Sequence, residues 1–268
     1  MTHDDILYGK LRLWQPGEGP RVNMDTVLLA AYVRLKPRGE SSFIELGAAA
    51  GAVSLMLALR FPKNFRVLGL EIQPELEELA QRNRAESGLA DRVSFRRMDL
   101  REYRNLPAGS FDGVVVNPPY EEEGRGRRSP SEATSIARQS VCCSLSDVVE
   151  AASWLLKNKG KFFAVFRAGR MAEFLALCVG KKLEPKRLRL VHPKMGEKAN
   201  LFLLESLKGG GTGLTVERPL FVHDAAGGPG KYTPELLQAY ELNGLTACDE
   251  QHKNALRNWH SAPCVLAP

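Results

Sequence analysis

Short apolar runs alternate with longer amphipathic segments through the first half of the chain, and this alternation restricts the fold more than any other feature. Four runs have the length and composition of buried strands, namely residues 41–46, 66–72, 92–99 and 110–117. Helical spacing of apolar residues follows the first two runs, at 53–61 and from Pro74 onward. Strands that alternate with helices in this way pair in parallel, so the sequence predicts an α/β fold.

The second half of the chain extends the same pattern. Helices are predicted at 144–160 and 171–180, and strands at 161–167, 187–193 and 199–207, with the last strand antiparallel. A further helix is predicted at 25–35 with Asp25 as its N-cap. The result is a seven-stranded, mostly parallel sheet with helices on both faces.

The domain boundaries follow from the Gly-rich stretch at 209–213 and the weak periodicity after it. We expect residues 1–40 to form an N-terminal segment and first helix of the main domain, residues 41–208 to form its core, and residues 209–268 to form a linker and C-terminal appendage.

Charge and cysteine content restrict the partners and the compartment. The formal charge of +6 favours a polyanionic partner. Five cysteines without paired spacing, and an N-terminus without the features of a signal peptide, indicate a reduced, cytoplasmic protein. No apolar run reaches the length of a membrane span, and no histidine has metal-ligand spacing, so neither a membrane partner nor a metal site is predicted.

The fourth predicted strand ends in the sequence VVVNPPY. Two prolines cannot donate backbone hydrogen bonds, so the strand must stop there with carbonyl oxygens facing outward. Asn117 and Tyr120 then lie at the carboxyl end of a strand, where open α/β sheets bind their ligands.

Three further signals follow the first three strands. ELGAAAG, residues 45–51, is a small-residue loop that a ligand can approach closely, although a tight turn explains it equally well. Glu71 ends the second strand, where an acid can accept hydrogen bonds from a ribose diol or simply be solvated. Asp99 follows the third strand and can accept from an adenine amino group or cap a turn.

Together these motifs resemble the S-adenosylmethionine-dependent amino-methyltransferases whose fourth motif is N-P-P-Y. The segments VNMDTVLLAAY, EPKRLRLVHP and KANLFLLESLKGGGTGL extend the resemblance to the tRNA (adenine-N6) methyltransferases that modify valine tRNA beside the anticodon. The resemblance implies a Rossmann-like class I fold, S-adenosylmethionine as cofactor and tRNA as partner.

The resemblance also implies roles for individual residues. Glu45, Gly47 and Gly51 form the first cofactor loop, Glu71 holds the ribose hydroxyls, and Asp99 meets the adenine, whose faces Ile72 and Leu100 cover. For catalysis, Asn117 and Pro118 accept hydrogen bonds from the target amino group, Pro119 fixes the carbonyl direction, and Tyr120 stacks on the base. The chain departs from the pattern at Ala49, commonly glycine, where a positive φ would cost about 1 kcal/mol and affect cofactor affinity.

Other substrates remain open from the sequence. Protein glutamine N5 and DNA adenine N6 present similar planar nitrogens, and an inactive RNA-binding relative is a further alternative. Fewer than fifty residues precede the cofactor loop, which disfavours the glutamine enzymes, and no separate DNA-recognition domain is evident. A basic surface is expected from seven cations within one stretch, namely Lys181, Lys182, Lys186, Arg187, Arg189, Lys194 and Lys198.

Overall fold

A computed structural model describes residues 1–35, 39–118, 143–224 and 231–245. The strands are β1 Thr2–Ile6, β2 Leu11–Gln15, β3 Ser41–Leu46, β4 Phe65–Glu71, β5 Val93–Arg97, β6 Phe111–Val116, β7 Leu156–Arg167, β8 Leu183–His192, β9 Leu201–Lys208, β10 Thr215–Val216 and β11 Leu220–Phe221. The α-helices are α1 Met24–Tyr32, α2 Ala52–Arg60, α3 Pro74–Glu86, α4 Leu145–Leu155, α5 Met171–Gly180 and α6 Pro234–Tyr240. Two 3-10 helices span Leu100–Asn105 and Ala168–Arg170.

One sheet forms the centre of the molecule, in the order β10-β8-β9-β7-β6-β3-β4-β5, and β11 also pairs with β8. All neighbours are parallel except β9, which is antiparallel to both β7 and β8. The predicted seven long strands are therefore confirmed, and the two-residue strands β10 and β11 extend the sheet beyond them. β1 and β2 form a separate antiparallel hairpin that the sequence reading did not predict.

Two apolar cores cover the two faces of the sheet. One core contains residues of α1, α2, the hairpin and α6, and the other contains residues of α4 and α5. The central strands contribute side chains to both cores, as in β3, where Phe43 packs on one side and Ile44 on the other. This burial on both faces explains why these strands are almost uniformly apolar.

Two sequence predictions of helix ends were wrong. α4 ends at Leu155 rather than residue 160, because Phe111 pairs with Leu156 and draws the following residues into β7. The N-cap of α1 is Asn23 rather than Asp25. The Asn23 side chain accepts from the Thr26 amide, and the Thr26 side chain accepts from the Asn23 amide, which completes a capping box.

The segment after residue 209 adds β10, β11 and α6, and Leu220 and Leu236 within it are fully buried. The division of the chain at residue 209 nevertheless stays a prediction. Within the part of the chain that the structure describes, no helix is both long and apolar enough to cross a membrane.

Candidate active site

A cavity of about 230 Å³ opens at the carboxyl edge of β3, β4 and β6. Eight of the residues predicted from the sequence line it, namely Glu45, Gly47, Glu71, Ile72, Asp99, Leu100, Asn117 and Pro118. Gly51 lies outside the lining, and Pro119 and Tyr120 lie outside the described residues. The parallel register explains the assembly, because the carboxyl ends of parallel strands meet at one edge.

The backbone of the loop after β3 is fixed by hydrogen bonds within the sheet edge. The amides of Gly47 and Ala48 both donate to the Leu70 carbonyl, at 2.9 and 2.8 Å, and the Gly51 amide donates to the Ala48 carbonyl at 2.7 Å. Gly47 has φ +76° and no atom near the position of a Cβ. The loop therefore presents open backbone to the cavity at Gly47.

Gly51 is needed for packing rather than as part of the cavity wall. Its φ is +84°, and a Cβ there would collide with the ring of Phe95. The residue also precedes α2 as its N-cap. A larger residue would displace the loop from β5, so Gly51 affects the cavity only through the loop's position.

Ala49 adopts the left-handed conformation, with φ +46°. Its amide donates to Glu71 Oε2 at 2.8 Å. The residue with the positive φ therefore contacts a carboxyl group of the cavity. The strain that the sequence analysis described for an alanine with positive φ is present at this position.

Glu71 is a buried acceptor at the end of β4. Its side chain accepts from the amides of Ala49 at 2.8 Å and Gln73 at 2.9 Å, one on each oxygen. Burial raises the pKa of this carboxyl, against the opposing effect of nearby backbone N–H groups. Since a carboxylate has about four acceptor positions, capacity remains for two further donors such as a diol.

Glu45 is more deeply buried and joins β3 to α2. Its Oε2 accepts from the Ser54 amide at 2.9 Å and from the Ser54 hydroxyl at 2.5 Å. Burial raises the pKa of Glu45 to about 8, and the charge of Glu71 contributes in the same direction. Burial thus shifts both carboxyls toward their neutral form, and a ligand that donates hydrogen bonds or carries positive charge would favour their ionised form.

Asp99 caps the 3-10 helix that follows it. Its side chain accepts from the Arg101 amide at 2.9 Å and forms a bidentate ion pair with the Arg101 guanidinium. Hydrogen bonds from Arg101 lower the pKa of Asp99. Asp99 therefore performs the capping role foreseen as one alternative, while it also lines the cavity.

Asn117 and Pro118 follow β6 directly. Val116 pairs with Leu46, so Asn117 lies beside the start of the small-residue loop. Both residues line the same cavity as Glu71 and Asp99. The register thereby places Asn117 and Pro118 at the same cavity as the two acidic residues.

Sequence reasoning missed three residues that line the cavity from the N-terminal side. Pro20, Arg21 and Val22 line it together with Thr26. Gln15 holds this segment, since its Oε1 accepts from the Val22 amide at 2.7 Å while its Nε2 donates to Asp4 at 2.6 Å. The sequence Asn23-x-x-Thr26 is the signal that could have located this segment, because it forms the capping box at which α1 begins, next to the cavity.

The basic surface expected from residues 181–198 is not a continuous patch. Arg187 bonds Glu205 and Glu217, and buried Arg189 pairs with Glu235 at 2.7 Å. The alternation of side chains along β8 explains the difference, because a strand directs successive residues to opposite faces. The two arginines therefore serve the protein interior.

The cavity residues fit S-adenosylmethionine. A ribose diol requires acceptors, which Glu71 offers, and a cationic sulfonium suits a cavity with two buried carboxyls. The open space at Gly47 permits close approach of a ligand to backbone. The chemistry of the lining residues therefore agrees with the cofactor expected from the sequence.

Comparison with known proteins gives the same result. Residues 43–123 match a family model described as a methyltransferase domain. The chain is also similar to the crystal structure of a predicted O-methyltransferase, protein Atu636 from Agrobacterium tumefaciens, with a TM-score of 0.66 and 26% identity over 82% of this chain and 97% of that one. The chain is an S-adenosylmethionine-dependent methyltransferase.

Two relatives narrow the comparison within the methyltransferases. The tRNA1(Val) (adenine(37)-N6)-methyltransferase of Vibrio campbellii is 27% identical over 78% of this chain and 84% of its own length. The enzyme of the same name from Porphyromonas gingivalis strain W83 is 27% identical over 90% of this chain and 95% of its own. These matches extend well beyond residues 43–123 and include the sheet edge formed by β8 and β9.

Proposed function

We propose that this methyltransferase transfers a methyl group to the exocyclic N6 of adenine in tRNA, beside the anticodon. The observation that carries the proposal is the placement of Asn117 and Pro118 at the cavity that also contains Glu71 and Asp99. Relatives named as tRNA1(Val) (adenine(37)-N6)-methyltransferases, similar over most of their length, support the choice of substrate.

The acceptor groups after β6 suit a planar amino nitrogen. The lone pair of an adenine amino group is delocalised into the ring, so it needs localisation before it can attack a methyl group. In our proposal the Asn117 side-chain oxygen and the Pro118 carbonyl accept the two N–H hydrogen bonds. They direct the lone pair into the cavity, and Tyr120 stacks on the base.

S-adenosylmethionine, when bound, supplies an electrophilic methyl group on a sulfonium sulfur. The N–C bond forms as the C–S bond breaks, sulfur keeps the electron pair, and the extra proton on nitrogen leaves to water. Asn117 and Pro118 then contribute mainly orientation, and Glu71 and Gly47 hold the donor side of the cavity. A base in an anticodon loop is already accessible, so extruding it requires little energy.

The substrate is tested by labelling. The purified protein is incubated with S-adenosylmethionine carrying a labelled methyl group and, in parallel, with total tRNA, other RNA, DNA or release-factor protein. We expect label in tRNA, recovered as N6-methyladenosine after digestion. Label confined to protein or to DNA would contradict the proposal and favour one of the two alternative acceptors.

The role of Asn117 is tested by substitution. Asn117→Ala removes an oriented acceptor, so we expect turnover to fall by ~100-fold or more, while calorimetry shows an unchanged affinity for S-adenosylmethionine. Asn105→Ala, at an exposed position, is the matched control and should retain normal turnover. Normal turnover in the Asn117 variant would rule out the proposed role.

A further inference from the structure

The edge of the sheet opposite the cavity has a local excess of positive charge. Because β9 is antiparallel, its carboxyl end lies beside the amino ends of β6, β7 and β8. Seven cations gather along this part of the sheet with its flanking helices, and we call them the basic edge: Arg104, Lys157, Lys159, Lys181, Lys182, Lys186 and Lys208. Lys181, Lys182 and Lys186 are close in the sequence, and the tertiary structure brings Arg104, Lys157, Lys159 and Lys208 to them.

The carboxylates on this stretch do not balance the cations. Four acids lie beside these cations in the chain or in space, namely Glu102, Asp112, Glu150 and Glu184, which leaves a surplus of three positive charges. The whole chain has a surplus of six. Glu40 lies one strand further, before β3. A concentration of charge on one edge is the electrostatic signature of a polyanion partner.

Several of the lysines are held by carbonyl oxygens rather than by carboxylates. Lys208 Nζ donates to the Leu156 carbonyl at 2.7 Å, and Lys159 and Lys186 donate to the carbonyls of Gly209 and Gly211. A neutral carbonyl orients an ammonium group without cancelling its charge. These contacts therefore keep positive charge at the edge.

A recess of about 310 Å³ lies within the basic edge, bounded by Arg104, Glu150, Trp154, Lys181 and Lys208 among others. Glu150 accepts from the Tyr103 hydroxyl at 2.9 Å and from Lys181 at 3.0 Å, and Arg104 lies 3.5 Å from it. Two cations thus contact one carboxylate, and Lys208 is a third cation in the lining of the recess. Burial lowers the pKa of Lys208, which an anion in the recess would offset.

The recess and the cavity lie along the same helix. Val148 of α4 lines the cavity, and Trp154 of the same helix lines the recess. Six residues of α-helix separate them, or about 9 Å along the axis. An RNA whose target base occupies the cavity has backbone phosphates within this reach.

We propose that the basic edge, through its recess, binds phosphodiester groups of the RNA substrate. The inference rests on the proposed function and adds a docking surface outside the catalytic cavity. Arg104, Lys181 and Lys208 contact phosphate and release counterions from the RNA. Trp154, which is 37% exposed, forms part of the recess wall that contacts the RNA backbone.

The test compares two triple variants with the unmodified enzyme. The recess variant carries Arg104→Gln, Lys181→Gln and Lys208→Gln. We expect its KM for tRNA to rise about tenfold, and the slope of log K against log salt to become shallower by about 2 to 3. Turnover at saturating tRNA and the affinity for S-adenosylmethionine should be unchanged.

The control variant removes the same charge elsewhere, with Arg12→Gln, Lys63→Gln and Arg96→Gln at exposed positions near the hairpin and β5. It should keep the normal KM and lose less of the salt slope than the recess variant. Equal behaviour of the two variants would overturn the proposal, as would lost affinity with an unchanged salt slope.

A third variant keeps the proposal testable if the recess variant misfolds. It carries Lys159→Gln, Lys182→Gln and Lys186→Gln, which belong to the basic edge but not to the lining of the recess, and we expect the same direction of change in KM and in slope. An unchanged slope there overturns the proposal. Wild-type enzyme that methylates no tRNA would reject the proposed function itself, whereas methylation of tRNA with unaffected variants would reject this inference alone.

Discussion

At the scale of single residues, Ala49 connects backbone geometry to cofactor binding. Its φ of +46° is unfavourable for a residue with a Cβ, yet this conformation directs its amide to Glu71 Oε2. Glu71 is the acceptor proposed for the ribose hydroxyls. The hydrogen bond from the Ala49 amide to Glu71 therefore helps to position a cavity residue, while the positive φ of Ala49 lowers the stability of the fold.

We expect Ala49→Gly to raise the free energy of unfolding by about 1 kcal/mol, because glycine adopts positive φ without strain. The affinity for S-adenosylmethionine should rise or stay equal, as the Glu71 contact is retained. Chemical denaturation and calorimetry measure the two quantities. Ala50→Gly is the control, since Ala50 has no positive φ and should lose about 0.5–1 kcal/mol; equal losses in both variants would contradict the strain at Ala49.

At the scale of elements, α3 joins the N-terminal hairpin to the cofactor loop through one buried side chain. Asn83 accepts from the Trp14 amide at 2.7 Å and donates to the carbonyls of Trp14 and Ala50, both at 2.9 Å. The residue is 1% exposed. Three backbone groups of two other elements therefore depend on a single amide.

Asn83→Ala should leave those three backbone groups unpaired and lower the free energy of unfolding by about 3 kcal/mol. Because Ala50 belongs to the cofactor loop, we also expect weaker binding of S-adenosylmethionine. Denaturation and calorimetry provide both readouts. Exposed Glu78→Ala on the same helix should change stability by less than about 0.5 kcal/mol; unchanged cofactor affinity in the Asn83 variant would mean that Asn83 serves the hairpin alone.

At the scale of the whole molecule, the segment after residue 209 is attached to the sheet by a buried ion pair. Arg189 of β8 is 2% exposed and donates to Glu235 of α6, to the Arg218 carbonyl and to the Leu245 carbonyl. Leu236 of α6 is fully buried within the core that contains α1. The later residues thus contribute to the stability of the domain.

Glu235→Gln should lower the free energy of unfolding by about 3 kcal/mol, because it leaves the Arg189 charge buried without its partner. The matched control is Glu197→Gln, which breaks the exposed pair with Lys194 and should have an effect below about 1 kcal/mol. Thermal and chemical unfolding compare the two. If both substitutions changed the free energy of unfolding by the same small amount, the carbonyls of Arg218 and Leu245 would be sufficient to stabilise the Arg189 charge.

The sequence by itself determined the order of the long strands along the chain and the positions of Glu45, Glu71 and Asn117 at strand ends. Apolar periodicity and proline are local signals, and parallel pairing turns strand ends into one shared edge. It also identified the alternative that Asp99 caps a turn, since capping involves only neighbouring residues.

Which charges face the interior and which face solvent became clear from the packing of the strands and helices. Arg187 and Arg189 belong to the most basic stretch of the chain, but they pair with the buried carboxylate of Glu205 and with the partly buried carboxylates of Glu217 and Glu235. Three cations of the basic edge, Lys181, Lys182 and Lys186, come from the same stretch, and the other four come from separate parts of the sequence. The physical reason is that β9 is inserted antiparallel between β7 and β8. Its carboxyl end therefore lies beside the amino ends of those strands, and this pairing cannot be read from any local sequence pattern.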